Sequence, residues 1–320
     1  MIIKDINMQD ILSLIIPVYR NENSIPDLLD SLKNLNTELN GNFEVIFVVD
    51  GSPDRSYEIL RDSIQALPFK VKLLLLSRNF GSFPAIRAGL EIAEGARFAI
   101  MAADLQEPPE LIVKMNQVLC SEAIDIVVAV RDGRNDPLLT RLPANIFWSL
   151  YRRFVIPEIP PGGVDIFACN KAFRDQLLSL EEHHSSLIAQ IFWLGYRRKL
   201  INYERQERKH GKSAWTFRKK LNYLMDSIFS FTDLPIRLLM YAGGCGALLA
   251  GLFGILVALS RYFNLIVVPG YAATILTIVF FGALNLFALG IVGSYAWRTY
   301  ENTKTRPLYV VLRTHEFDPN

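Results

Sequence analysis

Cysteine is scarce in this chain. There are three residues in 320, Cys120, Cys169 and Cys245, far apart and set among apolar or small neighbours. That number and spacing exclude a disulfide framework or a cysteine zinc site and suit a reducing compartment. An excess of one charge is also lacking. Lys and Arg number 34 against 32 Asp and Glu, a net charge of +2, which excludes a strongly basic nucleic-acid binder. No phosphate-cradling glycine fingerprint follows the first apolar run. Neither G-x-G-x-x-G nor G-x-x-x-x-G-K-[ST] is found, so a dinucleotide oxidoreductase and a P-loop ATPase are not expected. The opening residues, MIIKDINMQD, lack the basic-then-apolar order of a secretory signal. His183-His184 has no third ligand at suitable spacing and reads as a solvated helix start.

What is present is a regular alternation. Apolar runs at Ile11 to Val18, Phe43 to Val49, Val71 to Leu76, Phe98 to Ala102 and Ile124 to Val130 read as strands buried on both faces. Between them, Ile25 to Leu35, Ser56 to Leu67, Ser82 to Ala93 and Pro109 to Leu119 read as helices, the first with Asn23-Ser24 as its cap and Pro26 in its first turn. Strand and helix in turn, with short connections, predict α/β layers over a mostly parallel sheet.

Four strand ends carry polar clusters: Tyr19 with Glu22, Asp50 with Asp54, Ser77 to Asn79, and Asp104 to Gln106. The carboxyl edge of such a sheet is where ligands bind. Asp104 lies just past one buried run, before Pro108-Pro109 opens a helix with Glu110 at its positive end. A carboxylate there can cap the helix, or hold a divalent cation that in turn binds a diphosphate. With no glycine fingerprint, a diphosphate at this edge needs a metal to neutralise it.

These residues carry a resemblance. Pro17-Val18-Tyr19 with Glu22, Asp50-Gly51-Ser52 with Asp54, Arg78-Asn79-Phe80-Gly81, and Asp104-Leu105-Gln106 with Pro108-Pro109-Glu110 resemble family 2 glycosyltransferases. Within them the chain is similar to the polyisoprenyl-phosphate group, which includes dolichol-phosphate mannose synthases and undecaprenyl-phosphate glucosyltransferases. The likeness covers about residues 11 to 215. It implies a GT-A fold, a nucleotide-diphosphate sugar donor, Mg²⁺ or Mn²⁺, and a lipid-phosphate acceptor. It implies nucleotide-sugar contacts at Pro17, Tyr19, Glu22, Asp50, Ser52, Arg78, Asn79, Asp104, Leu105 and Gln106, with Asp50 toward the nucleobase and Asp104 as catalytic metal ligand. Many members carry Asp-x-Asp at this motif, whereas here Ala102 stands two residues before Asp104.

Further on, Arg131 opens a basic turn that reads either as solvated surface or as an anion contact. Asp165 sits between apolar residues, where an acid is costly without a partner. The resemblance puts it at the reaction centre, where general base is the usual role. A lipid phosphate, with a second pKa of about 6, is already anionic and needs no base, so an orienting role is the physical alternative. Residues Glu204 to Lys220 mix seven Lys/Arg with Trp215 and Phe217. Arg208, Gly211, Ser213 and Trp215 match the family's Arg-x-x-Gly-x-Ser-x-aromatic pattern. The acceptor phosphate is therefore expected at Arg131, Arg208, Lys212 and Ser213.

Leu238 to Leu259 and Tyr271 to Trp297 carry no charge, and each is long enough to cross a bilayer as a helix. Lys and Arg crowd before the first and after the second, which predicts both termini in the cytoplasm. Small-residue rows such as Gly243, Ala247 and Gly251 let helices approach closely and suggest a homo-oligomer. The expected organisation is a GT-A domain over 1–205, a basic and aromatic juxtamembrane segment over 206–236, a two-helix membrane hairpin over 237–298 and a cytoplasmic tail over 299–320. The expected function is inverting transfer of a hexose, glucose from UDP-glucose first, to undecaprenyl phosphate at the cytoplasmic leaflet. The alternatives are mannose transfer from GDP-mannose, a synthase with a hydroxyl acceptor, and a non-catalytic scaffold that binds nucleotide sugar.

Overall fold

The computed structural model describes residues 11–131, 149, 151–153, 156–160, 164, 166–182, 185–206, 225–263, 270–304 and 306–319. Asp165, Arg208, Lys212, Ser213, Trp215 and the His183-His184 pair lie outside the described residues. The chain divides into two compact units, residues 1–221 with 307–320, and residues 222–306.

In the first unit the apolar runs become strands β1 (Leu12–Val18), β2 (Phe43–Val49), β3 (Lys70–Leu76), β4 (Arg97–Ile100) and β5 (Ile126–Arg131). Helices α1 (Ile25–Glu38), α2 (Ser56–Ser63), α3 (Ser82–Ile92) and α4 (Pro109–Ser121) alternate with them, and a short 3₁₀ turn over Ile64–Ala66 extends α2. Every residue of β2 is buried, as a strand covered by helices on both faces must be. Then follow β6 (Phe167–Asn170), α5 (Lys171–Leu178), α6 (Leu187–Trp193) and β7 (Arg198–Tyr203).

One eight-stranded sheet results, in the order β7-β5-β6-β4-β1-β2-β3-β8, where β8 is Val311–Phe317. Strands β1 to β4 are mutually parallel, as are β5 and β7, while β6 runs against both β4 and β5. The carboxyl ends of β1, β2, β3, β4, β5 and β7 therefore share one edge. The right-handed crossovers through α1 and α2 put those helices on one face. α4 joins α1 there, while α3 and α5 cover the other face.

Two details differ from the expectation. Ser24 does not cap α1 through its side chain; its hydroxyl donates to the Asn21 carbonyl instead, 3.0 Å away. The segment expected to be a cytoplasmic tail contains β8, which pairs antiparallel with β3. Lys70 forms an ion pair with Glu316 at 3.0 Å, and the Tyr57 hydroxyl and His315 Nε2 are 2.8 Å apart. An edge strand offers unpaired backbone groups along its whole length, and β8 covers those of β3.

The second unit holds two long helices, α7 (Leu234–Tyr262) and α8 (Tyr271–Thr303). Within α8, Phe280–Thr303 is long and apolar enough to cross a membrane, and none of its most apolar window is buried within the protein. Along α7, Leu238, Met240, Leu248, Leu252, Phe253 and Ile255 are exposed. A helix that is apolar all round is ordinarily covered by protein or by lipid.

Candidate active site

The shared carboxyl edge is a set of polar loops held together by side chains bonded to neighbouring backbone. After β1, the Tyr19 N–H donates to Asn21 Oδ1 at 3.0 Å, and Asn21 N–H reaches Ser56 Oγ at 3.1 Å. Arg20 N–H donates to Ser52 Oγ at 2.8 Å. The Asp54 carboxylate accepts from Glu22 N–H at 3.1 Å and from the Ser52 hydroxyl at 2.6 Å, while Glu22 Oε2 accepts from Arg55 N–H at 3.1 Å. The loops after β1 and β2 are thus stitched to each other. Burial pushes the Asp54 carboxyl up, but hydrogen bonds from Ser52, Ser56 and two backbone N–H groups outweigh it and hold the group below its ordinary range.

The loop after β3 is tied to β2 in the same way. Asp50 is buried, and its two carboxylate oxygens accept the N–H groups of Phe80 and Gly81 at 2.7 and 2.8 Å. Gly51 has φ +53°, and a Cβ there would lie 2.3 Å from the Arg78 carbonyl carbon. Only glycine meets both conditions. Beside it the Arg78 guanidinium lies over the Phe80 ring, 4.3 Å from its centroid.

β4 ends at the point where strand order reverses, β1 leading to β2 and β3 on one side with β4 on the other. Such a crevice is the usual ligand position in open α/β sheets. Asp104 is partly exposed there, and Gln106 N–H approaches its Oδ1 at 3.4 Å. Leu105 between them has φ +54°, a left-handed conformation that costs a residue with a Cβ about 1 kcal/mol or more.

Among the described residues, no three His, Cys, Asp or Glu side chains gather as a metal centre. In the stretch after β4 the partly exposed donors are the Asp104 carboxylate and the Gln106 amide oxygen; the next acid in the loop, Glu107, is buried. Mg²⁺ keeps several waters and takes one or two carboxylates plus substrate phosphates. The donor set fits a cation shared with a diphosphate and does not fit an all-protein cage.

Two strands that periodicity did not mark also reach this edge. β7 leads into Arg205 and Gln206; the Gln206 N–H donates to the Gln106 carbonyl at 2.9 Å, and Arg205 Nη2 donates to Gln106 Oε1. Before β6, the Ile166 carbonyl accepts Ala129 N–H at 3.0 Å, which places Ile166 beside β5, the strand that ends at Arg131.

A family model described as glycosyl transferase family 2 matches residues 13–180, from the first strand through α5. The chain belongs to glycosyl transferase family 2. This glycosyltransferase is 34% identical over 301 residues to an uncharacterized glycosyltransferase of Synechocystis sp., with 94% of each chain covered. It is 29% identical to the prophage bactoprenol glucosyl transferase homolog of Escherichia coli, covering 94% of this chain and 98% of that protein. It is 30% identical to the undecaprenyl-phosphate 4-deoxy-4-formamido-L-arabinose transferase of Pseudomonas paraeruginosa, covering 97% and 92%.

Proposed function

We propose that this glycosyltransferase moves a hexose, with glucose from UDP-glucose as the best-supported donor, onto undecaprenyl phosphate at the cytoplasmic face of a membrane. The observation that carries this reading is the end-to-end match. Relatives named for bactoprenol glucosyl transfer and for undecaprenyl-phosphate sugar transfer align over 94–97% of this chain and 92–99% of their own length. The likeness therefore includes the long apolar helices as well as the sheet.

The chemistry divides the substrates between two phases. A nucleotide sugar is soluble, whereas a polyisoprenyl phosphate is confined to the bilayer. An enzyme joining them needs a sheet edge for the first and an anchor for the second. In this reading the loops at Pro17, Tyr19, Glu22, Asp50, Ser52, Arg78 and Asn79 shape the nucleotide pocket. Asp104, with Gln106, would hold Mg²⁺ or Mn²⁺ against the diphosphate, and the metal would supply charge stabilisation for the leaving nucleotide. Arg131, Arg208, Lys212 and Ser213 would take the acceptor phosphate. An oxygen of that phosphate forms the new bond to the anomeric carbon as the bond to the nucleoside diphosphate breaks, with inversion. The chain's own share is positioning and electrostatic stabilisation. Asp165 would orient the acceptor or a sugar hydroxyl.

Chain connectivity supports a two-pass anchor. The residues that leave the first unit after Leu221 return to it at Pro307, where β8 joins the same sheet. A chain that starts and ends on one side crosses a membrane an even number of times. If α8 crosses, α7 crosses as well, and the Lys/Arg excess outside the pair favours the cytoplasm for the sheet. In α7, Gly243 and Gly244 have open space where a Cβ would stand, which leaves room for a helix of a second copy.

The test is transfer of label from a panel of nucleotide sugars to undecaprenyl phosphate. UDP-glucose is expected to label lipid in inside-out vesicles and not in right-side-out ones. Labelling from GDP-mannose alone would reassign the sugar. Binding of nucleotide sugar without transfer would favour the scaffold reading.

A further inference from the structure

Arg205 stands at the exit of β7, in a stretch whose sequence reads only as part of a basic run. The structure gives it a particular position. Its Nη2 donates to Gln106 Oε1, and the adjacent Gln206 bonds the Gln106 carbonyl through its own N–H at 2.9 Å. The Gln106 Nε2 returns to the Gln206 carbonyl at 3.5 Å. A cationic side chain is thus latched to the loop that carries Asp104. Its Nε is buried and has no acceptor among the described residues. A buried donor on a charged group is costly to leave unmade, which marks a place where an acceptor arrives with a ligand. The latch is expensive in another sense too: the Gln106 amide is held at both ends, so the guanidinium cannot drift from the strand edge without breaking it.

The neighbouring charge balance says which ligand. With Ala102 at the position two before Asp104 and Glu107 buried, Asp104 is the partly exposed carboxylate of the β4 loop, and a nucleoside diphosphate brings two or three negative charges. A guanidinium suits phosphate because it donates parallel N–H bonds to two oxygens and stays charged at every working pH. We propose that Arg205 is a binding residue for the diphosphate of the nucleotide sugar, supplying beside Asp104 part of the positive charge that a fuller metal site would otherwise provide. This rests on reading the strand edge as the nucleotide-sugar site. The acceptor's lipid phosphate presents the same chemistry, and the experiment separates the two.

The full-length protein in detergent, with Mg²⁺ present, is titrated with UDP, GDP and inorganic pyrophosphate. Arg205→Gln keeps a donor for Gln106 and loses the charge; Arg205→Lys keeps the charge. The expected result is that Arg205→Gln weakens the nucleoside diphosphate that wild type binds, and pyrophosphate, by a similar factor of about tenfold or more, the size of a charge-assisted bond. Arg205→Lys should retain most of the affinity. Unchanged affinity in Arg205→Gln overturns the proposal. Equal losses in the two variants overturn it as well, because they assign Arg205 only to holding Gln106. A rise confined to the KM for undecaprenyl phosphate moves Arg205 to the acceptor and also overturns it. If wild type binds none of the three probes, the nucleotide reading of the edge fails and the proposal with it. If wild type binds diphosphate with the expected Arg205 dependence yet transfers no sugar to lipid, the proposed function fails and the diphosphate contact stands.

Discussion

Arg87 of α3 and Arg174 of α5 cap each other's helices. Arg87 donates to the carbonyls of Leu177 and Leu178 at 2.9 and 3.0 Å, at the end of α5. Arg174 donates to the carbonyls of Leu90 and Ala93 at 3.0 and 3.2 Å, at the end of α3. Both side chains are buried, and Arg174 also lies over the Phe98 ring, 4.4 Å from its centroid. The last carbonyls of a helix lack intrahelical partners and carry its negative end, so a cation there serves both needs. The exchange joins the helix that precedes β4 to the helix that follows β6, and so braces the strand that presents Asp104. Arg87→Ala is expected to cost about 2–3 kcal/mol, the loss of charged hydrogen bonds to buried carbonyls. Arg87→Lys should recover less than half, since one ammonium does not reproduce the fork. Unfolding curves of the two variants check this, and a neutral Arg87→Ala would refute it.

Gly51 lies against the backbone of the loop after β3. Gly51→Ala forces a Cβ to within 2.3 Å of the Arg78 carbonyl carbon at a φ of +53°, so the Arg78–Gly81 loop must move. Displacement of a site by about 1 Å can cost about 10²-fold in rate. The variant should therefore lose about that much turnover, with most of the change in KM for the nucleotide sugar. A substitution that leaves the donor KM at its wild-type value would separate this contact from nucleotide binding.

Asp104 is the partly exposed carboxylate of the β4 loop, with Glu107 buried, and this sets an expectation for metal dependence. Activity should need millimolar rather than micromolar Mg²⁺ or Mn²⁺ and vanish on chelation, because the diphosphate must supply much of the coordination. Ala102→Asp adds a carboxylate two residues before Asp104 and should lower the half-maximal metal concentration several-fold. Turnover that persists in excess chelator would contradict a metal role at Asp104.

Asp54 gives the stitching of the first two loops a pH signature. Its folded-state pKa lies below the ordinary 3.8, as hydrogen bonds to the carboxylate overcome the effect of burial. A depressed folded pKa favours folding in full above the unfolded pKa, and this contribution disappears as pH falls through the folded value. The stability gap between wild type and Asp54→Ala should be flat from about pH 7 to about pH 5 and shrink below about pH 4. A gap that stays constant down to about pH 2 would mean that the carboxylate charge is not what holds the loops.

The first five strands were legible because each is a run of apolar residues covered on both faces, and β2 has the same bounds, Phe43–Val49, in sequence and structure. The edge of the sheet was legible for a related reason: polar clusters at the ends of apolar runs have nowhere to go but a loop. What stayed hidden depends on partners far away in sequence. β8, VLRTHEF, is mostly exposed and is a strand only because β3 leaves an edge for it. Arg87 and Arg174 look like surface charges until α3 and α5 are side by side. Arg205 was lost in a basic run, and its meaning comes from Gln106, 99 residues earlier. Glu22 and Asp54 also join the loops after β1 and β2, a link between residues about thirty positions apart that no local pattern displays.

The most direct measurement of the central claim is the linkage in the lipid product. Purified enzyme, Mg²⁺, labelled UDP-glucose and undecaprenyl phosphate are combined, and the organic-phase product is analysed by mass spectrometry and by the anomeric coupling of its sugar. The account predicts one hexose on the lipid phosphate as an acid-labile phosphodiester, with the anomeric configuration opposite to that of the donor. A retained configuration, sugar on a hydroxyl acceptor, or release of free glucose with no lipid-linked sugar would contradict it.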